Sequence, residues 1–185
     1  QIGAEGLTFD RLVHGQYYRL VETTVPAGYV PMAPLTFRFL YDQATGATSL
    51  NYGTRADLSV SAAGGQATLT VTDAPTLVSV TKVDENGDTL PGAVLAVYTD
   101  VAGAPGALVP GTRFTTLTDD ALTPADESVH TYVGLLTQGT AYWLVEESAP
   151  AGYALAAPLA FTAGASADPV TLTLTNKPLT LRLYK

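Results

Sequence analysis

Three polar side chains occupy positions where the surrounding pattern is apolar. Val78, Val80 and Lys82 share one phase of a strand-like run, Tyr142, Leu144 and Glu146 share one phase of a second, and Leu172, Leu174 and Asn176 share one phase of a third. Side chains alternate across a strand, so each polar residue closes an inward-facing apolar stripe. A lysine, a glutamate and an asparagine are therefore expected to face one core. Lys and Glu are rarely fully buried unless paired. The plainest chemistry for the trio is a buried ion pair between Lys82 and Glu146, with Asn176 beside it. Glu147 is the neighbouring carboxylate, but its phase points it to solvent.

The glutamate strand occurs twice, which fixes the domain organisation. Tyr18–Tyr29 reads YRLVETTVPAGY and Tyr142–Tyr153 reads YWLVEESAPAGY, at a constant offset of 146 − 22 = 124. Each copy is a short strand ending at a Pro-Ala-Gly-Tyr turn. A second correspondence runs at 176 − 73 = 103: Asp73-Ala-Pro75 matches Asn176-Lys-Pro178, and Lys82 matches Lys185. The period-two runs are rich in Thr, Val, Leu and Tyr and are bounded by Gly, Pro, Asn and Asp, which predicts an all-β chain. Residues 1–75 are expected to form a domain lacking its first strand. Residues 76–178 form a complete domain, and residues 179–185 (LTLRLYK) the first strand of a further one. Between Tyr29 and Asp73 the first domain is 21 residues longer than the matching stretch of the second, and the excess falls at about 41–65, expected as an extra hairpin or long loop with a strand near Asp57–Ser61. Asp100–Gly111 and Asp119–Glu127 are expected as loops of the second domain.

The stretch Val78–Tyr98 (VSVTKVDENGDTLPGAVLAVY), the glutamate stretch Tyr142–Tyr153 and the closing strand Leu172–Pro178 (LTLTNKP) together resemble the Cna B-type domains of Gram-positive pilins and surface adhesins. They fall in the family's order and cover essentially all of residues 76–178. The resemblance implies tandem immunoglobulin-like β-sandwiches. It also implies an intramolecular isopeptide bond between Lys82 and Asn176, promoted by Glu146. An amine and a carboxamide do not couple in neutral water; burial strips the proton from the amine, fixed strands supply proximity, and the glutamate is expected to hydrogen-bond the Asn176 carbonyl and shuttle protons. The reaction would run once and expel ammonia, so the domain would be its own product and not a turnover enzyme. Without the bond, the same residues remain a buried ion pair.

The first domain departs from this pattern. Glu22 matches Glu146 and Asp73 replaces the asparagine, which would make water the leaving group, but no lysine precedes Lys82. The plainer expectation is that a strand upstream of this stretch supplies the lysine. The sharper one is that residues 179–185 of another copy add as a strand, setting Lys185 against Asp73 and Glu22.

Composition narrows the alternatives. The 185 residues include no cysteine, so disulfides, thiol catalysis and thiolate metal sites are excluded. Net charge is −8 with 9 Lys+Arg, which argues against nucleic acid and anionic membrane as partners. No apolar run is long enough for a membrane helix, and neither a leader peptide nor a sorting tail is expected within this stretch. Asp84-x-Asn86-x-Asp88 resembles the start of a calcium loop, but Thr89 and Leu95 stand where glycine and the closing glutamate belong, so it is expected to be a turn. His14 and His130 have no second ligand in view, and neither metal nor cofactor is expected. The functional expectation is a structural stalk or spacer of a cell-wall-anchored, extracellular adhesin or pilin. Its partners would be neighbouring domains of the same surface protein, other copies, or a pilus assembly. The alternative is an adhesin domain that binds a host ligand through the 41–65 insertion or the Asp100–Gly111 loop.

Overall fold

Alternating Val, Thr and Leu make strands throughout this chain, because β-branched and aliphatic side chains fit a pleated, half-buried surface. The structure, a computed structural model, describes residues 6–63, 65–117, 129–164 and 169–185; within them there are strands and no helix. The strands are β1 (Tyr17–Leu20), β2 (Leu35–Tyr41), β3 (Thr48–Asn51), β4 (Leu58–Ala63), β5 (Gln66–Val71), β6 (Leu77–Val83), β7 (Val94–Val101), β8 (Ala104–Leu108), β9 (Phe114–Thr115), β10 (Val129–Val133), β11 (Ala141–Ser148), β12 (Leu159–Thr162) and β13 (Val170–Thr175). Contacts divide the chain into two compact units: residues 1–26 with 31–74, and residues 27–30 with 75–185.

The second unit is a β-sandwich. One sheet runs β10-β6-β13, the other β12-β11-β7-β8 with β9 also on β7. Val78, Val80, Tyr132, Leu172 and Leu174 from the first sheet pack with Leu95, Val97, Tyr142, Leu144 and Phe161 from the second to form its core. Burying each such aliphatic side chain is worth about 1.5–3 kcal/mol. β13 lies parallel to β6, with Leu172 opposite Val80 and Leu174 opposite Lys82. β11 lies antiparallel to β7 until a bulge, where the register shifts between Glu146 and Ser148. On the outer face of this sheet Arg113 and Tyr98 both bond Glu147, and the Trp143 indole donates to Asp100.

The Asp100–Gly111 segment, expected as a loop, is instead largely strand. β8 turns back on β7 through Ala102 and Gly103, at φ 53° and 81°, directly between the paired Val101 and Ala104. Two consecutive left-handed residues are what the right-handed twist of a tight hairpin demands. The acidic stretch Asp119–Glu127 lies outside the described residues.

In the first unit, β1 and β2 correspond to β11 and β12, and β5 corresponds to β13, at the offsets of the repeat. The insertion contributes β3 and β4. These do not form a hairpin with each other: β3 extends the β1-β2 sheet and β4 pairs β5. Among the described residues of this unit, Leu35 and Leu58 are the buried aliphatic ones. Ala27–Val30, which includes the Ala-Gly-Tyr of the first Pro-Ala-Gly-Tyr turn, groups with the second unit, where the Thr76 amide and hydroxyl both donate to the Gly28 carbonyl. Gly28 has φ 84°, and a Cβ there would overlap the Gly134 carbonyl, so only glycine fits.

Candidate functional site

Period-two alternation delivers the three polar residues to one place. Along β11, Tyr142, Leu144 and Glu146 are buried while Trp143, Val145 and Glu147 are less so; β6 and β13 bury Val78, Val80 and Lys82, and Leu172 and Leu174 with the following Asn176. Lys82 is 1% exposed, Glu146 5% and Asn176 0%. The Lys82 ammonium Nζ lies 3.9 Å from Glu146 Oε1 and donates to the Val83 carbonyl at 3.1 Å. Asn176 Nδ2 donates to Glu146 Oε2 at 2.8 Å. Glu146 therefore touches both of the other residues, one with each carboxylate oxygen.

Burial holds the Lys82 amine below its ordinary range, against the opposing pull of Glu146 and Asp84. A lysine that sheds its proton readily is a nucleophile. In the orientation assigned to the amide, Glu146 meets the nitrogen of Asn176, whereas the sequence led us to expect the carbonyl. The physical reason is a second acceptor: Nδ2 also donates to the Ala154 carbonyl at 2.7 Å, so both its hydrogens are used and the oxygen Oδ1 is turned away. Asn176 Oδ1 and Glu146 Oε1 make no hydrogen bond, although both are buried. The arrangement thus presents an amine whose charged form burial disfavours, a carboxylate lying between two nitrogens, and a carboxamide whose nitrogen faces that carboxylate.

The segment following the second Pro-Ala-Gly-Tyr turn completes the site. The Ala156 amide donates to Glu146 Oε2 at 2.7 Å, and Ala154 is tied to the end of β13 by its amide, which donates to the Lys177 carbonyl at 2.9 Å. Tyr153 bridges to Pro178, and the Leu179 amide donates to the Gly152 carbonyl. These backbone groups carry no side-chain signal, and the sequence read them only as a turn; the exact repetition of that turn in both copies is the one sign of them.

The first unit holds half of the same arrangement. Glu22 is half-buried, and its Oε2 accepts from the Met32 amide at 2.9 Å, as Glu146 accepts from Ala156 at the same 124-residue offset. Burial, then the charges of Glu22 and Asp57, raise the Asp73 carboxyl above its ordinary range. Lys185 lies in the exposed extended segment after β13. Elsewhere, Asp84 Oδ1 accepts from the Asn86 and Asp88 amides, which makes that motif a side-chain-capped turn. His14 accepts from the Tyr41 amide through Nδ1, and His130 stacks on Phe114 at 3.9 Å.

Comparison with known families matches residues 76–178 to the SpaA prealbumin-like fold domain. Among solved structures, the chain is similar to the shaft pilin SpaA of Lactobacillus rhamnosus GG, at 19% identity over 90% of this chain and 66% of that one, with a TM-score of 0.43. It is similar to a C-terminal fragment of the pilus adhesin SpaC from the same organism, at 17% identity over 93% and 80%, with a TM-score of 0.45. It also resembles the group B streptococcus pilus 2b backbone protein, at 17% identity over 85% and 52%, with a TM-score of 0.45. Comparison with curated protein sequences gives no match.

Proposed function

Because the chain belongs to the SpaA prealbumin-like fold domain family, we propose that it is a structural stalk segment of a Gram-positive pilin or surface adhesin, held by an autocatalytic isopeptide bond between Lys82 and Asn176. On this reading it works outside the cell, in line with neighbouring domains of the same surface protein. The observation that carries the reading is the burial of a lysine, a glutamate and an asparagine together, with one carboxylate contacting both partners.

A buried ion pair is a poor source of net stability, because desolvating two charges consumes most of what their attraction returns. Coupling the Lys82 amine to the Asn176 carboxamide removes the lysine charge and leaves a neutral link beside Glu146. In the proposed reaction the unprotonated Lys82 Nζ attacks Cγ of Asn176. The Nζ–Cγ bond forms, the Cγ–Nδ2 bond breaks, and the proton lost by Nζ travels through Glu146 to Nδ2, which departs as ammonia. Glu146 is suited to this transfer because its two oxygens face the two nitrogens.

The test is the intact mass of the folded protein followed by peptide mapping. A mass lower by one ammonia, with the Lys82 and Asn176 peptides joined, is the expected result. Glu146→Gln is expected to keep the full, unshifted mass while retaining the β-sheet signature in circular dichroism. An unshifted mass in the unsubstituted protein would return the trio to a non-covalent cluster.

A further inference from the structure

The Asn176 amide nitrogen is held between two acceptors, the Glu146 carboxylate and the Ala154 carbonyl, at 2.8 and 2.7 Å. The Glu146 oxygen it meets is itself held by the Ala156 amide. We infer that Ala154–Ala156, the segment that follows the second Pro-Ala-Gly-Tyr turn, is a positioning element for bond formation: its carbonyl and amide aim the leaving nitrogen and the proton-carrying carboxylate at each other, and so select a carboxamide over a carboxylate at position 176. This rests on the isopeptide reading and adds to it a specificity-determining role that no side chain carries.

The selectivity follows from counting hydrogens. A carboxamide nitrogen has two, one for each acceptor. An aspartate at 176 would set an oxygen between two oxygen acceptors. Ionised, it would be repelled by both, and protonated, it could serve only one, leaving the other buried and unpaired. The position is fully buried, so water offers no relief. The carbonyl that does the selecting is placed by backbone on both sides. Gly152, at φ 87°, turns the chain, its carbonyl accepts from Leu179, and the Ala154 amide is fixed to Lys177. A Cβ on Gly152 would meet no atom within 4 Å, so a side chain there perturbs the turn through backbone strain alone. The amide half of the device recurs in the first unit, where Met32 serves Glu22.

The experiment follows intact mass against time in freshly produced protein, for the unsubstituted chain and for Asn176→Asp, Gly152→Val and Gly152→Asn. The unsubstituted chain loses ammonia. Asn176→Asp, which would lose water, is expected to react at least about tenfold more slowly at neutral pH, the effect of one lost buried hydrogen bond. Its rate should climb as pH falls, as for any carboxyl that must be protonated before it couples, so the readout specific to the segment is the pair of Gly152 variants, which leave Lys82, Glu146 and Asn176 in place. Gly152→Val should also slow the reaction, and Gly152→Asn should recover most of the rate, since asparagine tolerates positive φ. Reaction of Asn176→Asp at the unsubstituted rate across the pH range would overturn the inference, as would undiminished reaction in Gly152→Val. If the unsubstituted chain itself loses no ammonia, the isopeptide reading has failed, and that outcome is separate from either of these.

Discussion

At the scale of single residues, the feature with consequences is a lysine buried beside one carboxylate. Where Asn176→Ala blocks coupling, Lys82 stays a free amine held below its ordinary 10.5 by burial. Between that lowered value and 10.5 the unfolded chain binds the proton and the folded chain does not, so stability rises with pH across the window and levels off above it. Below the lowered value the cost of the buried charge is present in full. Urea titrations of Asn176→Ala at several alkaline pH values should show this rise, and Asn176→Ala combined with Lys82→Met should lack it; parallel curves for the two would contradict a depressed lysine. The three polar residues were legible in the sequence because each closes an apolar stripe of period two. The orientation of the Asn176 amide was not. It is decided by the carbonyl of Ala154, contributed by a loop whose backbone direction no residue type announces.

At the scale of elements, the sandwich strands follow their alternation closely, and the departures arise where turn chemistry overrides composition. Asp100–Gly111 is rich in Gly and Pro and so reads as a loop, yet its Ala102-Gly103 pair supplies the two left-handed residues of a tight hairpin and β8 pairs with β7. The insertion shows the converse: turn-rich spacing suggested an extra hairpin or long loop, but β3 and β4 join different sheets, β3 on β2 and β4 on β5. The hairpin makes a prediction. Alanine at φ 53° is strained, whereas asparagine is at ease there. Ala102→Asn should stabilise the second unit by about 0.5–1 kcal/mol, seen as a higher denaturation midpoint at an unchanged slope. A lower midpoint would mean that the Ala102 methyl makes a contact that outweighs its backbone.

At the scale of the whole domain, topology decides how load is borne. β6 and β13 are the first and last strands of the second unit, and they are adjacent and parallel. Force applied at the two chain ends of the unit therefore enters at the start of one strand and leaves at the end of its neighbour, which shears the ladder between them. Hydrogen bonds alone would have to resist that shear. Lys82, near the end of β6, and Asn176, just past the end of β13, stand at the same end of this pair, since Leu174 is opposite Lys82. A covalent link there would carry force directly from β6 to the outgoing chain and leave residues 83–175 unloaded. Those residues correspond to roughly 300 Å of extended chain. In single-molecule extension the unsubstituted unit should release none of that length, whereas Asn176→Ala should unfold in one step that releases it. A crosslink closing a loop of this size should also add about 4 kcal/mol to stability, by analogy with a disulfide, so Lys82→Ala should melt at a lower temperature and yield faster to protease. A full-length unfolding step in the unsubstituted protein would show that the ladder itself, and not a bond between Lys82 and Asn176, bears the tension.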